Sequence, residues 1–360
     1  MRTATRSMMR IAGGVIMIVL LLAGYNVLRH LVFLAPTEDV VFTSADGTEL
    51  RGTLVKPSAG GPHPAVVMMH GSGSEHRGGP SYRIMANAIL RTGIAVLLYD
   101  KRGVGESGGV FGRTDYRSFI ADGAAAVRFL AARDDVDSTR IGLHVNSESG
   151  WFAPEIAQST GQVAWIFNRA GPPLPWMQNV IWEVRNDMLA AGIAESDVGP
   201  LLDVTLRRWK YYVAAAADPS LATSPERDAI NAEMQRLRDT VPGADGQLPA
   251  EVAPYDPDRY AALAAEVGYD QTPFLEAIDV PMIYTFGERD INVPTAESVA
   301  YLETFRERHG KDIEIVVLEG VGHSFANWTG LFYGGYVPEF IAVLDRWYRD
   351  RAASPASPSP

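Results

Sequence analysis

The chain has no cysteine among its 360 residues. That excludes disulfides, thiolate metal sites, a cysteine nucleophile and a lipidated-cysteine anchor. It also lacks a basic excess: 32 Lys and Arg stand against 43 Asp and Glu, a formal charge of -11. A general nucleic-acid binder carries a basic footprint, so no nucleic-acid partner is expected, and the charge reads as solubility. No G-x-x-x-x-G-K and no H-E-x-x-H stretch occurs, which leaves nucleotide-phosphate and zinc-protease chemistry without their local signals. His70 and His76 lack a carboxylate pattern that suggests zinc, so no metal or cofactor is expected. An apolar share of 47% is ordinary for a folded chain, and the length suffices for a substantial core.

Acidic residues are missing from the start of the chain until Glu38, while Arg2, Arg6 and Arg10 precede the apolar run Ile11 to Leu28. Such a run is just long enough to cross a bilayer, aided by Leu31 to Leu34. Arginines on its leading side hold the start of the chain in the cytoplasm and send the body outside. An uncleaved anchor with an extracytoplasmic body is therefore expected. A cleaved signal peptide competes, but LLAG and FLAP have Leu or Phe where a small residue belongs.

After the anchor, VVFTSADGTELRGTLVKP reads as two strands around a turn at Asp46 and Gly47. Short apolar runs follow at 65–69, 94–99, 141–145, 163–167, 282–286 and 313–318. Continuous runs of this kind suit parallel strands covered on both faces. Helical stretches alternate with them. One spans about 116–132, with Asp115 as N-cap and Phe119, Ile120, Gly123, Ala124, Val127 and Leu130 on one face. Others follow Ser147 and cover about 296–308 and 336–351. The pattern predicts an α/β fold with a mostly parallel sheet flanked by helices. Residues 37–170 and 276–351 form its core; 171–275, with no strand run, form a helical cap insertion. The tail 352–360 is expected to be disordered.

Ligands of open α/β sheets bind outside the carboxyl ends of the strands. Those ends carry His70-Gly71-Ser72-Gly73, Asp100-Lys101-Arg102-Gly103, Asn146-Ser147-Glu148, Gly287-Glu288-Arg289-Asp290 and Gly322-His323. Serine, then acid, then histidine on successive strand ends is the chain order of an α/β-hydrolase triad. A serine hydroxyl needs an imidazole to take its proton, and a carboxylate to fix and stabilise that imidazole.

The stretches HGSGSEHR, YDKRGVGESGG, IGLHVNSESGW, FGERDINVP and GVGHSF resemble motifs of bacterial α/β-hydrolases in the serine esterase and prolyl-oligopeptidase-like group. The resemblance runs from about Asp39 to Tyr348 and is weakest through the insertion. It implies Ser147 as nucleophile, Asp290 as acid and His323 as base, with the backbone N–H groups of Glu148 and Ser72 as oxyanion donors. The implied substrate is a small acyl compound or a short peptide. Esterase, peptidase and thioesterase chemistry all fit, and so does a weak or inactive membrane-tethered binding module.

Each residue has a plainer alternative. Ser147 suits a helix cap, Asp290 a loop turn and His323 a structural hydrogen-bonder, and Glu288 is a rival acid. Asp100, Lys101 and Arg102 read as a structural charge network, and Arg77 as either a pocket or a loop residue. Trp176, Met177, Trp182, Trp209, Tyr211 and Tyr212 suit an acyl pocket or the insertion's own core. Gly103 to Gly108 matches G-x-G-x-x-G, but Gly109, Phe111 and Gly112 prolong the loop instead of opening a helix.

The usual nucleophile spelling, G-x-S-x-G, has Val145 and Ser149 here in place of both glycines; serine is small and Gly150 follows at once, so Val145 is the larger departure. Added methyls in a tight turn cost roughly 1–3 kcal/mol, which small neighbours such as Ala124 and Ala125 are expected to offset.

Overall fold

Alternation builds the first two strands. In β1 (Thr37–Thr43) and β2 (Glu49–Val55), Val40, Phe42, Leu50 and Leu54 pack on one face of the sheet, while Val41, Glu49 and Arg51 are exposed. The strands pair antiparallel. Asp46 Oδ1 accepts from Thr48 N at 3.0 Å in the turn between them.

The apolar runs become β3 (His63–Met68), β4 (Ala95–Tyr99), β5 (Val136–Asn146), β6 (Val163–Arg169), β7 (Met282–Gly287) and β8 (Ile313–Leu318). One eight-stranded sheet results, in the order β1-β2-β4-β3-β5-β6-β7-β8. Only the pairings of β2 are antiparallel; β4 through β8 run parallel.

Ten helices are described: α1 (Pro80–Leu90), α2 (Tyr116–Ala131), α3 (Ser149–Thr160), α4 (Trp176–Ala190), α5 (Glu195–Ala217), α6 (Pro225–Thr240), α7 (Pro257–Val267), α8 (Thr272–Ala277), α9 (Thr295–His309) and α10 (Pro338–Ala353). The computed structural model describes residues 28–353 apart from Ala59, Arg113, Trp328, Leu331 and Phe332, together with eight positions between 14 and 26. Among the described residues no helix is long and apolar enough to cross a membrane. Half of the expected anchor, Ile11 to Leu28, lies outside them, as do residues 354–360 of the expected tail.

Two apolar clusters cover the sheet, one per face. Helices α2 and α3 bring Ile120, Val127, Phe152 and Ile156 against Val67, Leu143 and Val145. Helices α1 and α10 bring Met85, Ile89, Phe340 and Leu344 against Val66, Val96 and Phe167. Helix α2 starts as its sequence predicts: the Asp115 side chain accepts from Ser118 N at 2.9 Å, a cap worth ~1 kcal/mol.

Five helices, α4 to α8, and no strand separate β6 from β7. Most of this segment packs on itself, with Leu201, Tyr212, Ile230, Met234 and Tyr260 in a third cluster. Its expected end at residue 275 falls inside α8, whose Leu275 packs in the main core instead. Helix α10 runs on to Ala353, two residues into the expected tail. Ala352 packs on the second cluster, and Arg351 lies 3.4 Å over the Trp347 ring.

Candidate active site

The turn from β5 into α3 is tight. Ser147 has φ 50, in the left-handed region, a conformation that costs a non-glycine residue about 1–3 kcal/mol and concentrates at functional sites. Hydrogen bonds hold it there: Ser147 N donates to Arg169 O at 3.0 Å, and Gly150 N to Ser147 O at 2.7 Å.

The missing glycines do not stop the turn from closing. Val145 is fully buried, in the apolar cluster that also holds Ala124 and Ala125. Ser149 is put to use. Its Oγ accepts from Asn146 N and donates to Asn146 O, both at 3.0 Å. The close-approach role falls one residue later, on Gly150. A Cβ there would lie 2.7 Å from Gly171 Cα, so only glycine lets α3 pass the loop after β6.

Asp290 follows β7, and its side chain is fully buried. Its Oδ1 accepts from Asn292 N at 2.8 Å and Val293 N at 3.0 Å. Its Oδ2 lies 2.8 Å from His323 Nδ1. One oxygen thus braces the loop turn, and the other faces the His323 ring. His323 Nε2 lies 3.0 Å from Ser147 Oγ. The rival acid Glu288 is turned elsewhere and accepts from Gly320 N at 2.7 Å.

Arg169, at the end of β6, joins the serine turn to the histidine loop. Its guanidinium donates to Asn146 Oδ1 and, at 3.1 Å, to Ser324 O. No sequence motif marks this residue; its role depends on the β5–β6 register, which sets Arg169 beside Asn146. Two further histidines near the sheet are poor bases. Burial holds His70 and His144 down at about 3, so both are neutral; His70 Nε2 donates to Tyr99 O at 2.7 Å.

Ser72, Ser147 and Glu148 line one cavity of about 230 Å³. Among the described residues, the N–H groups of Ser72 and Glu148 have no protein acceptor. The rest of the wall comes partly from the helical segment: Trp176, Asn179, Val180, Glu183 and Glu266. Of the aromatic residues singled out there, Trp176 lines the cavity and donates from Nε1 to Tyr116 OH at 3.1 Å. Tyr211 and Tyr212 belong to the segment's own core. Arg77 is not at the cavity; its Nη1 pairs with Asp100 at 2.7 Å.

Glu183 and Glu266 had no sequence signal, since solvated acids on polar helices look the same. Burial raises the Glu266 carboxyl to about 7, with the Glu148 and Asp115 carboxylates adding to the rise. Glu183 is raised too, mainly by burial, although it accepts from Asn292 Nδ2 at 2.9 Å.

The glycine-rich decoy wraps Asp100 instead of a phosphate. Glu106 N donates to Asp100 Oδ2 at 3.0 Å, and a Cβ at Gly105 (φ 57) would lie 2.5 Å from that carboxylate. Arg102 pairs with Asp122 and Asp46, as a structural network requires.

The sequence is 26% identical over 286 residues to esterase EstD of Thermotoga maritima, covering 78% of this chain but only 59% of that one. It is 24% identical over 328 residues to polyketide transferase grgF of a Penicillium species, covering 80% of this chain and 90% of the relative. Among solved structures, the Pyrococcus furiosus esterase Pf2001 superposes with a TM-score of 0.56 at 16% identity, over 89% of this chain and 92% of that one. At that identity the likeness is one of fold. Residues 46–324 match the family described as X-Pro dipeptidyl-peptidase (S15 family). By that match, over most of its length, the chain belongs to the S15 family, on an α/β-hydrolase fold.

Proposed function

We propose that the chain is a serine hydrolase that cleaves an ester or related acyl bond through Ser147, His323 and Asp290. The observation that carries this reading is the continuous hydrogen-bonded path from Asp290 Oδ2 through the His323 ring to Ser147 Oγ, at 2.8 and 3.0 Å. The left-handed Ser147 supports it, because that backbone presents the hydroxyl at the top of the sheet.

His323 Nε2 takes the Ser147 proton as Oγ attacks the acyl carbon, and Asp290 holds the imidazole tautomer and stabilises its cation. The carbonyl oxygen gains the negative charge and meets the N–H groups of Glu148 and Ser72. Collapse expels the leaving group, which takes the proton from His323. Water then repeats the sequence on the acyl-enzyme, with His323 as base, and restores Ser147.

A second reading, peptidase action, is favoured by the half-buried carboxyl groups of Glu183 and Glu266 in the cavity wall, which suit a substrate amine. The family match points the same way. The intact geometry weighs against an inactive binding module. We place the body outside the cytoplasm, tethered by Ile11 to Leu28; a reporter fused after residue 360 is then active outside, and cytoplasmic activity would refute that placement.

The decisive assay uses p-nitrophenyl esters of graded chain length beside dipeptidyl anilides. Wild type is expected to turn over the esters and Ser147→Ala to lose that activity. Turnover of anilides alone moves the reading to peptidase, and a folded wild type that turns over neither contradicts it.

A further inference from the structure

We infer that Lys101 is a positioning residue for the oxyanion site, its ammonium tying the Gly71–Ser72 peptide group to the side chain of Glu148; Ser72 and Glu148 are the two residues whose N–H bonds receive the developing charge. This rests on the serine-hydrolase reading above.

Lys101 follows β4 and is 3% exposed. Lysine is rarely buried so fully without partners. Here its Nζ donates to Gly71 O at 2.6 Å and to Glu148 Oε2 at 2.8 Å, and lies 4.4 Å over the Phe119 ring. Those two partners are what set it apart from Arg102 next door. Arg102 spends its donors on Asp122, Asp46 and Thr48, none of which lines the cavity.

The Gly71 carbonyl and the Ser72 N–H belong to one planar trans peptide unit. Holding the oxygen on one side therefore aims the N–H on the other. A cation on the carbonyl also polarises the amide and strengthens its N–H as a donor. The neighbouring peptide is pinned as well, because Gly71 N donates to the Glu75 carboxylate and, at 3.3 Å, to Tyr82 OH. On the other side, the Glu148 carboxylate brings to the same ammonium the residue whose N–H follows Ser147. Ser72 and Glu148 line the cavity, and Lys101 does not. It acts through them and not on substrate.

The test compares wild type with Lys101→Met in the full chain, by ester kinetics and by the affinity of a trifluoromethyl ketone, whose adduct with serine places an oxyanion in the same site. Loss of aim should lower kcat by about 100-fold, the scale of losing one oxyanion donor. KM should stay within about threefold, because ground-state binding is untouched, and ketone affinity should fall in parallel with kcat/KM. Lys101→Met leaves the Glu148 carboxylate unpaired, so the double variant Lys101→Met/Glu148→Gln is measured beside it. A lysine that merely neutralises Glu148 would be dispensable there, and kcat would return to the wild-type level. The inference predicts that it stays low, and the double variant decides the matter if the single one does not fold. Unchanged kcat in a folded Lys101→Met, or restoration in the double variant, overturns the inference alone. A wild type that neither turns over ester nor binds the ketone overturns the serine-hydrolase reading and the inference with it.

Discussion

The carboxyl edge of the sheet and the helical segment between β6 and β7 meet at one cavity but are held by different means. At the sheet edge, each functional side chain sits within a few residues of a strand end and is fixed by backbone bonds. Asp290 has two loop N–H groups on one oxygen, and Ser147 is held through Arg169 O. The helical segment is fixed mainly by its own apolar cluster, and only a few of its side chains, such as Trp176 and Glu266, reach the cavity. The difference separates two jobs. On the proposed function, the sheet edge sets the chemistry and the helical segment shapes what is admitted to it.

Breaking the sheet edge should have the largest effect. Asp290→Asn keeps the shape but stabilises the wrong imidazole tautomer, and kcat for ester turnover should fall by about 10⁴-fold with KM little changed. A fall of less than tenfold would mean that Asp290 only braces its loop.

Gly150→Ala tests the turn itself. The new Cβ meets Gly171 backbone at 2.7 Å, and the clash should cost roughly 1–3 kcal/mol of stability. Denaturant unfolding checks this, and activity should drop as Ser147 shifts. A variant as stable and active as wild type would show that close approach at Gly150 is dispensable.

Glu266→Gln sharpens the contrast from the helical side. Below the ordinary glutamate range the carboxyl is protonated in folded and unfolded chains alike and contributes nothing. Between that range and about 7 the folded chain keeps a proton that the unfolded chain has lost, so stability falls as pH rises. Above about 7 the full penalty remains. The variant should therefore melt higher than wild type near pH ~8 and equally near pH ~4. The opposite sign would show that Glu266 is paired and stabilising when charged.

The smallest effect is expected inside the helical segment. Tyr260→Phe removes a 2.8 Å hydrogen bond to Ala253 O and should cost about 1 kcal/mol by denaturant unfolding. Turnover of a short ester should not change; a large fall in kcat would show that the segment carries chemistry after all.

What was legible follows the same division. Continuous apolar runs marked the six parallel-region strands, all but the edge strand β8 being covered on both faces, and Asp46-Gly47 marked the hairpin through its turn chemistry. The site residues were readable because the sheet places them at strand ends in a known order. That Gly150 follows Ser149 at once was readable; its close approach to Gly171 was not, because that is a tertiary distance. Lys101 and Arg102 are alike in sequence, and only the fold sends one to Glu148 and the other to Asp122. Glu266 and Arg169 were hidden for the same reason, since burial and strand register decide their surroundings.

The central claim is that Ser147 is a working nucleophile in a turn that closes without its usual glycines. The most direct measurement is fluorophosphonate labelling of the folded protein, with the modified residue located by peptide mass. One label per chain is expected, on Ser147, and none on Ser147→Ala. A folded wild type that takes no label, or takes it on another residue, would contradict it.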